Sequence, residues 1–350
     1  MISSKIVGRI LVIGPDIQGQ GGISSVIAAH RTMFEDFHYM PLTGKGSAKF
    51  ISPIKAILKS LKRKNRYDVV HIHSASYKDF YRNTFFIYWF KLLGKRVILH
   101  MHGAKFDEFF VENKNFVKKV CRKSDLMLGV SSYYVDFFKK NVLNDNICLL
   151  HNSVTPSQFI KEFTYEKNNK KIFTYLGALD ERKGIFETLE AIGRHKKKFE
   201  DIIELHIGGN GDIERLNSLI KRYSLEKIVF FHGWLDNTQK KDLLSKTDVF
   251  IHPSISESFG ISILEAMDYG LPIITTKVGG IPDLVADGVN GIIVEPGEVD
   301  DIANAMERLM NDYELRKSLG EESKKKASEF YHEAIEKQLE AIYIAFMKEK

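Results

Sequence analysis

Two glutamates, Glu257 and Glu265, stand eight positions apart in the run SISESFGISILEAMDYGLP, with Ser-Phe-Gly directly after the first. If Ser258 caps a helix, the backbone N–H groups of Phe259, Gly260 and Ile261 point out of its start, where the helix dipole favours an anion. Eight helical residues advance about 12 Å and turn through about 80°. That advance is comparable to the distance from a ribose to a second sugar across a diphosphate. One carboxylate could accept hydrogen bonds from two vicinal ribose hydroxyls and the other from a hexose, with the diphosphate over the amides between them. The chemistry suggested is a grip on both sugars of one nucleotide-sugar. Taken alone, such a pair reads first as a helix with a solvated glutamate near each end, because such pairs are abundant.

Two other loops offer anion-binding groups. In GALDERKGIFETLEAI, Arg182 and Lys183 precede Gly184 and an amphipathic helix. Arginine brings a planar fork of donors for phosphate oxygens and lysine a compact charge. In GPDIQGQGGISSVIAAH, Gly19, Gly21 and Gly22 lead into a helix starting near Ile23–Ser24. Glycines there let backbone N–H groups approach an anion. The spacing is not G-x-G-x-x-G, which disfavours a dinucleotide-dependent dehydrogenase.

Positioning these loops requires strands that end just before them. Short apolar runs rich in β-branched residues recur at RILVIG, YMPL, DVVHIHS, RVILHMH, LMLGVS and ICLLHN. They recur again at IFTYLG, IELHIG, VFFHG, DVFIHP, PIITT and GIIVE. Amphipathic segments of helical length separate them, the pattern of parallel sheets covered by helices. Six and six strands predict an α/β chain of two Rossmann-like, doubly wound domains. The polar stretch SVTPSQFIKEFTYEKNNKK, residues 153–171, marks the break. The expected division is 1–155 as an acceptor-binding domain, 156–330 as a nucleotide-sugar-binding domain, and 331–350 as a helix packing back on the first domain. Ligands of such sheets bind outside the carboxyl ends of the strands, where all three loops fall.

The composition, 44% apolar and 27% charged, is that of a globular protein. The longest apolar run, FFIYWF, is far short of the roughly 20 residues a membrane span needs, and KIVGRILVIGP reads as a first buried strand rather than a secretory signal. Two cysteines, Cys121 and Cys148, form no disulfide framework or metal-ligand spacing. A cytoplasmic setting is expected. The net charge of +6 divides unevenly: residues 1–160 hold 24 Lys and Arg against 11 Asp and Glu, and the remainder is acidic. The segment 52–68, SPIKAILKSLKRKNRYD, has Ile54, Ile57, Leu58 and Leu61 on one helical face and basic residues elsewhere. It suits either core packing or an anionic membrane surface on the inner face of the cytoplasmic membrane. No nucleic-acid motif accompanies the charge.

The full string PSISESFGISILEAMDYGLPIITTKVGGIPDLV resembles the donor-binding motif of the retaining glycosyltransferase family 4, whose fold is GT-B, two Rossmann-like domains facing across a cleft. The resemblance extends over GQGGISS, DVVHIHS, HMHG, GALDERKG, GGNGD, FHGW and DVFIHPS. It implies a hexosyl-type transferase moving a sugar from a nucleotide-sugar, a UDP-sugar by preference, to a saccharide or lipid-linked saccharide in surface polysaccharide, lipopolysaccharide or capsule assembly. By position, Glu257 would contact the donor sugar, Glu265 the ribose, and Arg182 and Lys183 the diphosphate. Backbone N–H groups at Ser258–Ile261 and at Gly21–Gly22 would help, and His102 would stand near the anomeric carbon. HNSVTPSQF replaces the commoner Asn-Gly-Val-Asp, and Asp283 stands where Glu is frequent.

No Asp-x-Asp pattern is present to hold a divalent ion, so a reaction needing no metal and no cofactor is expected, with cations and helix N-termini stabilising the leaving phosphate. No side chain stands out as a covalent nucleophile. The resemblance implies front-face displacement with retention, the leaving phosphate oxygen taking the acceptor's proton. Two other readings stay open: a nucleotide-sugar epimerase of the same fold, and a non-catalytic nucleotide-sugar-binding protein.

Overall fold

The computed structural model describes residues 1–3, 8–17, 19, 21–42, 57–58, 60–61, 65–159 and 170–348. Most of the basic segment 52–68 lies outside the described residues. The chain forms two compact units, Met1–Thr155 with Phe330–Lys350, and Pro156–Glu329.

The first unit contains β1 (Ile10–Gly14), β2 (Tyr39–Pro41), β3 (Val69–Ser74), β4 (Arg96–Met101), β5 (Leu126–Gly129) and β6 (Ile147–Leu149). They form one parallel sheet in the order β2-β1-β3-β4-β5-β6. Every residue of β1, β3 and β5 is buried, because helices cover both faces and leave no side for polar alternation. The core joins Ile10, Val12, Ile98 and Leu128 of the sheet to Ile335, Leu339, Tyr343 and Phe346. Those last four lie on the helix His332–Lys348, so the end of the chain completes this core.

The second unit contains β7 (Lys171–Leu176), β8 (Ile203–Gly208), β9 (Val229–Phe231), β10 (Val249–His252), β11 (Ile273–Thr276) and β12 (Gly291–Val294). Their order is β12-β11-β10-β7-β8-β9, again all parallel. All twelve strands expected from the sequence are present. Phe173, Ile207 and Ile251 of this sheet pack against Ile185 and Leu189 of the helix Ile185–Arg194 and against Ile302 and Met306 of Val299–Asn311.

The strand order fixes where a ligand can enter. From β7 the chain winds outward through β8 and β9, then returns to lay β10 against the other side of β7. The β7/β10 boundary is therefore a switch point, where the loops leaving two neighbouring strands diverge and open a crevice.

Candidate functional site

The loop after β7 is shaped by Asp180. Its carboxylate caps the short turn Glu181–Lys183 by accepting the Arg182 N–H at 3.0 Å, and it also holds the Arg182 guanidinium at 2.6 Å. Gly184 follows at φ 73° and starts the helix Ile185–Arg194. A Cβ there would stand 2.0 Å from the carbonyl oxygen of Pro253, so only glycine lets this turn close onto the loop after β10. The Arg182 carbonyl accepts the Ile255 N–H at 2.7 Å, which fastens the two loops together.

Across that junction the Lys183 ammonium donates to Glu257 Oε2. Both side chains are largely enclosed, 14% and 10% exposed. His252, the last residue of β10, places its Nε2 3.5 Å from the same oxygen, a long contact. Burial alone would push the Glu257 carboxyl up. The Lys183 charge and His252 outweigh it and hold the group well below the usual carboxylate range. Glu257 is thus ionised, buried and matched to one cation. Its Oε1 accepts the Ser258 N–H at 3.0 Å and its carbonyl accepts the Gly280 N–H at 3.2 Å. Gly279, at φ 52°, passes so close that a Cβ would sit 1.7 Å from that carbonyl oxygen. Glycine at 279 is what lets the VGGIP loop reach Glu257.

The helix expected with Ser258 as its N-cap begins two residues later than that. It spans Ile261–Asp268, and Gly260 at φ 100° is its N-cap. Ser258 accepts nothing as a cap, and Phe259 is fully buried, anchoring the turn in the core. The amides without partners inside the helix are therefore those of its first turn from Ile261. Glu265 lies one turn further on and receives the Lys240 ammonium from the helix Asn237–Lys246. Of the residues singled out in this unit, Arg182, Lys183, Glu257, Ser258, Gly260 and Ile261 meet at the β7/β10 switch point. Glu265 follows along the same helix.

The first unit has its own candidates. Gly21 caps the helix Gly22–Met33 at φ 146°, and among the described residues nothing lies within 4 Å of where its Cβ would be. His102 directly follows β4, where its N–H donates to the Ser74 carbonyl at 2.8 Å. Its Nε2 lies 2.9 Å from His73 Nδ1. Burial pushes its pKa down to about 3, so the ring is neutral at physiological pH.

Three partners escaped sequence reasoning: Asp180, which orients Arg182; His252, which touches Glu257; and Lys240, which neutralises Glu265. His252 had a signal, its place at the carboxyl end of β10. Lys240 had none, since only tertiary packing brings its helix to Glu265.

Residues 157–326, nearly all of the second unit, match the protein family described as Glycosyl transferases group 1. The chain is 26% identical over 312 residues to a Klebsiella pneumoniae protein named "Uncharacterized 41.2 kDa protein in cps region", covering 85% of this chain and 81% of that one. It is 25% identical to the N-acetyl-alpha-D-glucosaminyl L-malate synthase of Bacillus anthracis, over 82% of this chain and 77% of the synthase. Among solved structures, Anabaena HepE in complex with UDP and glucose superposes with a TM-score of 0.77 at 17% identity, covering 96% of this chain and 99% of HepE. That likeness carries the fold: two Rossmann-like units of the GT-B class.

Proposed function

We propose that this chain, whose residues 157–326 match the family Glycosyl transferases group 1, is a retaining glycosyltransferase of family 4. It moves a sugar from a UDP-sugar to a saccharide or lipid-linked saccharide in surface polysaccharide assembly, without a divalent metal. The observation that carries the reading is the enclosed Lys183–Glu257 pair at the β7/β10 switch point, beside the first turn of Ile261–Asp268.

The pair is the resting form of the donor site. A diphosphate entering the crevice takes the Lys183 ammonium and the Arg182 guanidinium, together with the amides from Ile261 onward. Glu257, released from Lys183, accepts hydrogen bonds from hydroxyls of the transferred sugar, and Glu265 accepts those of the ribose. As the glycosidic bond breaks, negative charge grows on the leaving phosphate. Cations and amides already fixed in place stabilise that charge without reorganising. On the family reading His102, neutral and held by His73, is the first unit's catalytic candidate and acts by hydrogen bonding rather than by attack. The first unit takes the acceptor. The relative from a cps region supports a capsule-type polysaccharide as the setting.

A cytoplasmic, membrane-peripheral location fits an exposed aromatic stripe. Tyr81, Phe85, Tyr88 and Leu92 follow one face of the helix Lys78–Leu92 and are all solvent-exposed. Phe116 packs beside Tyr81 from the helix Lys114–Cys121, which also exposes Lys114 and Lys119. Aromatic rings flanked by lysines suit the interface of an anionic bilayer. Among the described residues, no helix is long and apolar enough to cross a membrane.

A panel of nucleotide-sugars, scored for thermal stabilisation and slow hydrolysis with and without EDTA, tests the proposal. One UDP-sugar should stabilise the protein and be hydrolysed at the same rate in both conditions. Stabilisation by no donor, or loss of all turnover in EDTA, contradicts it. Release of an altered free sugar without acceptor points instead to an epimerase.

A further inference from the structure

Alternate positions of two neighbouring strands carry histidine: His71 and His73 on β3, His100 on β4 and His102 just after it. The register pairs His73 with His100, and alternation by two puts all four rings on one face of the sheet. His30, from the helix Gly22–Met33, covers that face. His30, His71, His73 and His100 are each no more than 1% exposed. Both ring nitrogens of His30, Nε2 of His73 and Nε2 of His100 have no hydrogen-bond partner among the described residues. Buried polar atoms left in this state are costly, so three such rings in one core layer, beside His71, call for something that binds them.

Their outer nitrogens are held in a telling way. Tyr343 Oη lies 2.6 Å from His71 Nδ1, and His102 Nε2 lies 2.9 Å from His73 Nδ1. A metal-ligating imidazole uses one nitrogen for the ion and gives the other to an outer acceptor of this kind. Within the cluster, His71 Nε2 is 3.2 Å from His100 Nδ1. One ligand nitrogen from each of His71, His73 and His100 can be chosen so that all lie within 4.8 Å of one another. A tetrahedral zinc site with Zn–N near 2.05 Å has ligand nitrogens about 3.3 Å apart and ring centres about 5 Å apart. The ring centres of His30, His71, His73 and His100 are separated by 4.5 to 6.3 Å.

We propose that His71, His73 and His100 hold a divalent first-row transition metal, Zn²⁺ above all, in a buried site, with the His30 ring, 5.3 to 6.3 Å from theirs centre to centre, turning in to complete a tetrahedron. Imidazole donors select zinc, copper, nickel or iron over magnesium and calcium, which need oxygen ligands that these four rings do not provide. His71 and His73 are stacked at 16°, so joint coordination turns one ring about its terminal torsion, which is broad and soft. The ion ties β3, β4 and the helix Gly22–Met33 together and enters as the unit folds, since the finished site is sealed. Binding through His73 Nε2 also places the His73 proton on Nδ1. That N–H then donates to His102 Nε2 and leaves His102 Nδ1 as the protonated nitrogen.

The inference is independent of the glycosyltransferase reading, because its test measures metal rather than turnover. The full chain is expressed with Zn²⁺ in the medium and its metal content measured. About one ion per chain is expected, resistant to chelator in the native protein and released on unfolding. Protein grown with Co²⁺ should show the intense visible bands of tetrahedral cobalt. His73→Gln and His100→Gln should lose the ion, while His206→Gln with His232→Gln, at an exposed histidine pair, should keep it. A metal-free wild type, an ion that survives both buried substitutions, or one lost with the exposed pair overturns the site. Should the buried variants fail to fold, refolding the wild type with Zn²⁺ or with chelator decides. A higher Tm with Zn²⁺ and release on unfolding support the site, and identical Tm values or octahedral cobalt spectra overturn it.

Discussion

The ammonium of Lys183 rests on the carboxylate of Glu257, 74 positions further along the chain, and the pair spans the boundary between β7 and β10. Breaking such an enclosed pair leaves one charge without compensation, at a cost of about 3–5 kcal/mol, whereas replacing both partners with apolar residues is often nearly neutral. Lys183→Met and Glu257→Met should each lower stability by roughly that amount in urea denaturation, and the double variant should recover most of it. Activity should not recover. Glu257→Ala should reduce kcat by about 10²–10³-fold or more, the scale of losing one preorganised electrostatic group, while UDP still binds. A double variant with near-normal turnover would remove both residues from the chemistry.

The same pair sets a pH dependence. Burial opposes ionisation of Glu257, and Lys183 with His252 overcomes it, so the folded carboxyl titrates far below its unfolded value. The resulting stabilisation is complete above the unfolded pKa of about 4.3 and is lost as the pH falls through the folded pKa. Wild-type kcat/KM, which reports the free enzyme, should therefore show no limb from Glu257 between pH 5 and pH 8. In Lys183→Met only burial and the weaker His252 contact remain, so the carboxyl pKa rises. Whatever activity survives should then fall as the pH is lowered towards 5. A wild-type acid limb that Glu257→Gln abolishes would contradict this.

The twelve strands were legible because continuous runs such as ILVIG and VVHIHS can be buried on both faces only in a parallel sheet. The loops were legible in kind, since their glycines and cations fall directly after strands. The cap was not. Serine at 258 satisfies the local preference for a helix start, but burial of Phe259 and the bond from Gly280 to Glu257 turn the chain at Gly260 instead. The Lys183–Glu257 and Lys240–Glu265 pairs were invisible because each joins separate βα units. The histidines of HIHS and HMHG showed their two-residue alternation plainly, but their convergence depends on strand register and on His30 from another element.

Glu265 offers a separable test of donor recognition. Its carboxylate is matched by Lys240 and lies one helical turn beyond the first-turn amides, suited to the ribose rather than to the reacting carbon. Glu265→Ala should raise the donor KM by about 10–100-fold, the scale of losing one or two hydrogen bonds to a charged group, with kcat reduced much less. Removal of both ribose hydroxyls from the donor should produce the same loss in the wild type and little further loss in the variant. Full additivity of the two changes would move Glu265 away from the ribose.

The exposed stripe Tyr81, Phe85, Tyr88 and Leu92 makes the membrane proposal measurable. Its side chains recur every three or four residues, so one helix face carries all four, and Phe85 lies parallel to the Trp89 ring with centroids 6.3 Å apart. Lys114 and Lys119 flank it with positive charge. Each basic residue near an anionic bilayer contributes about 1 kcal/mol, and buried aromatic area adds to that. In liposome flotation the wild type should rise with vesicles containing anionic phosphatidylglycerol and stay down with neutral vesicles. Phe85→Ser with Tyr88→Ser should weaken flotation at least 10-fold while leaving turnover on a soluble acceptor unchanged. Raised salt should weaken the wild type in the same assay, because screening acts on the lysines and not on the rings. Flotation indifferent to lipid charge, to salt and to both substitutions would mean that this face does not meet a membrane.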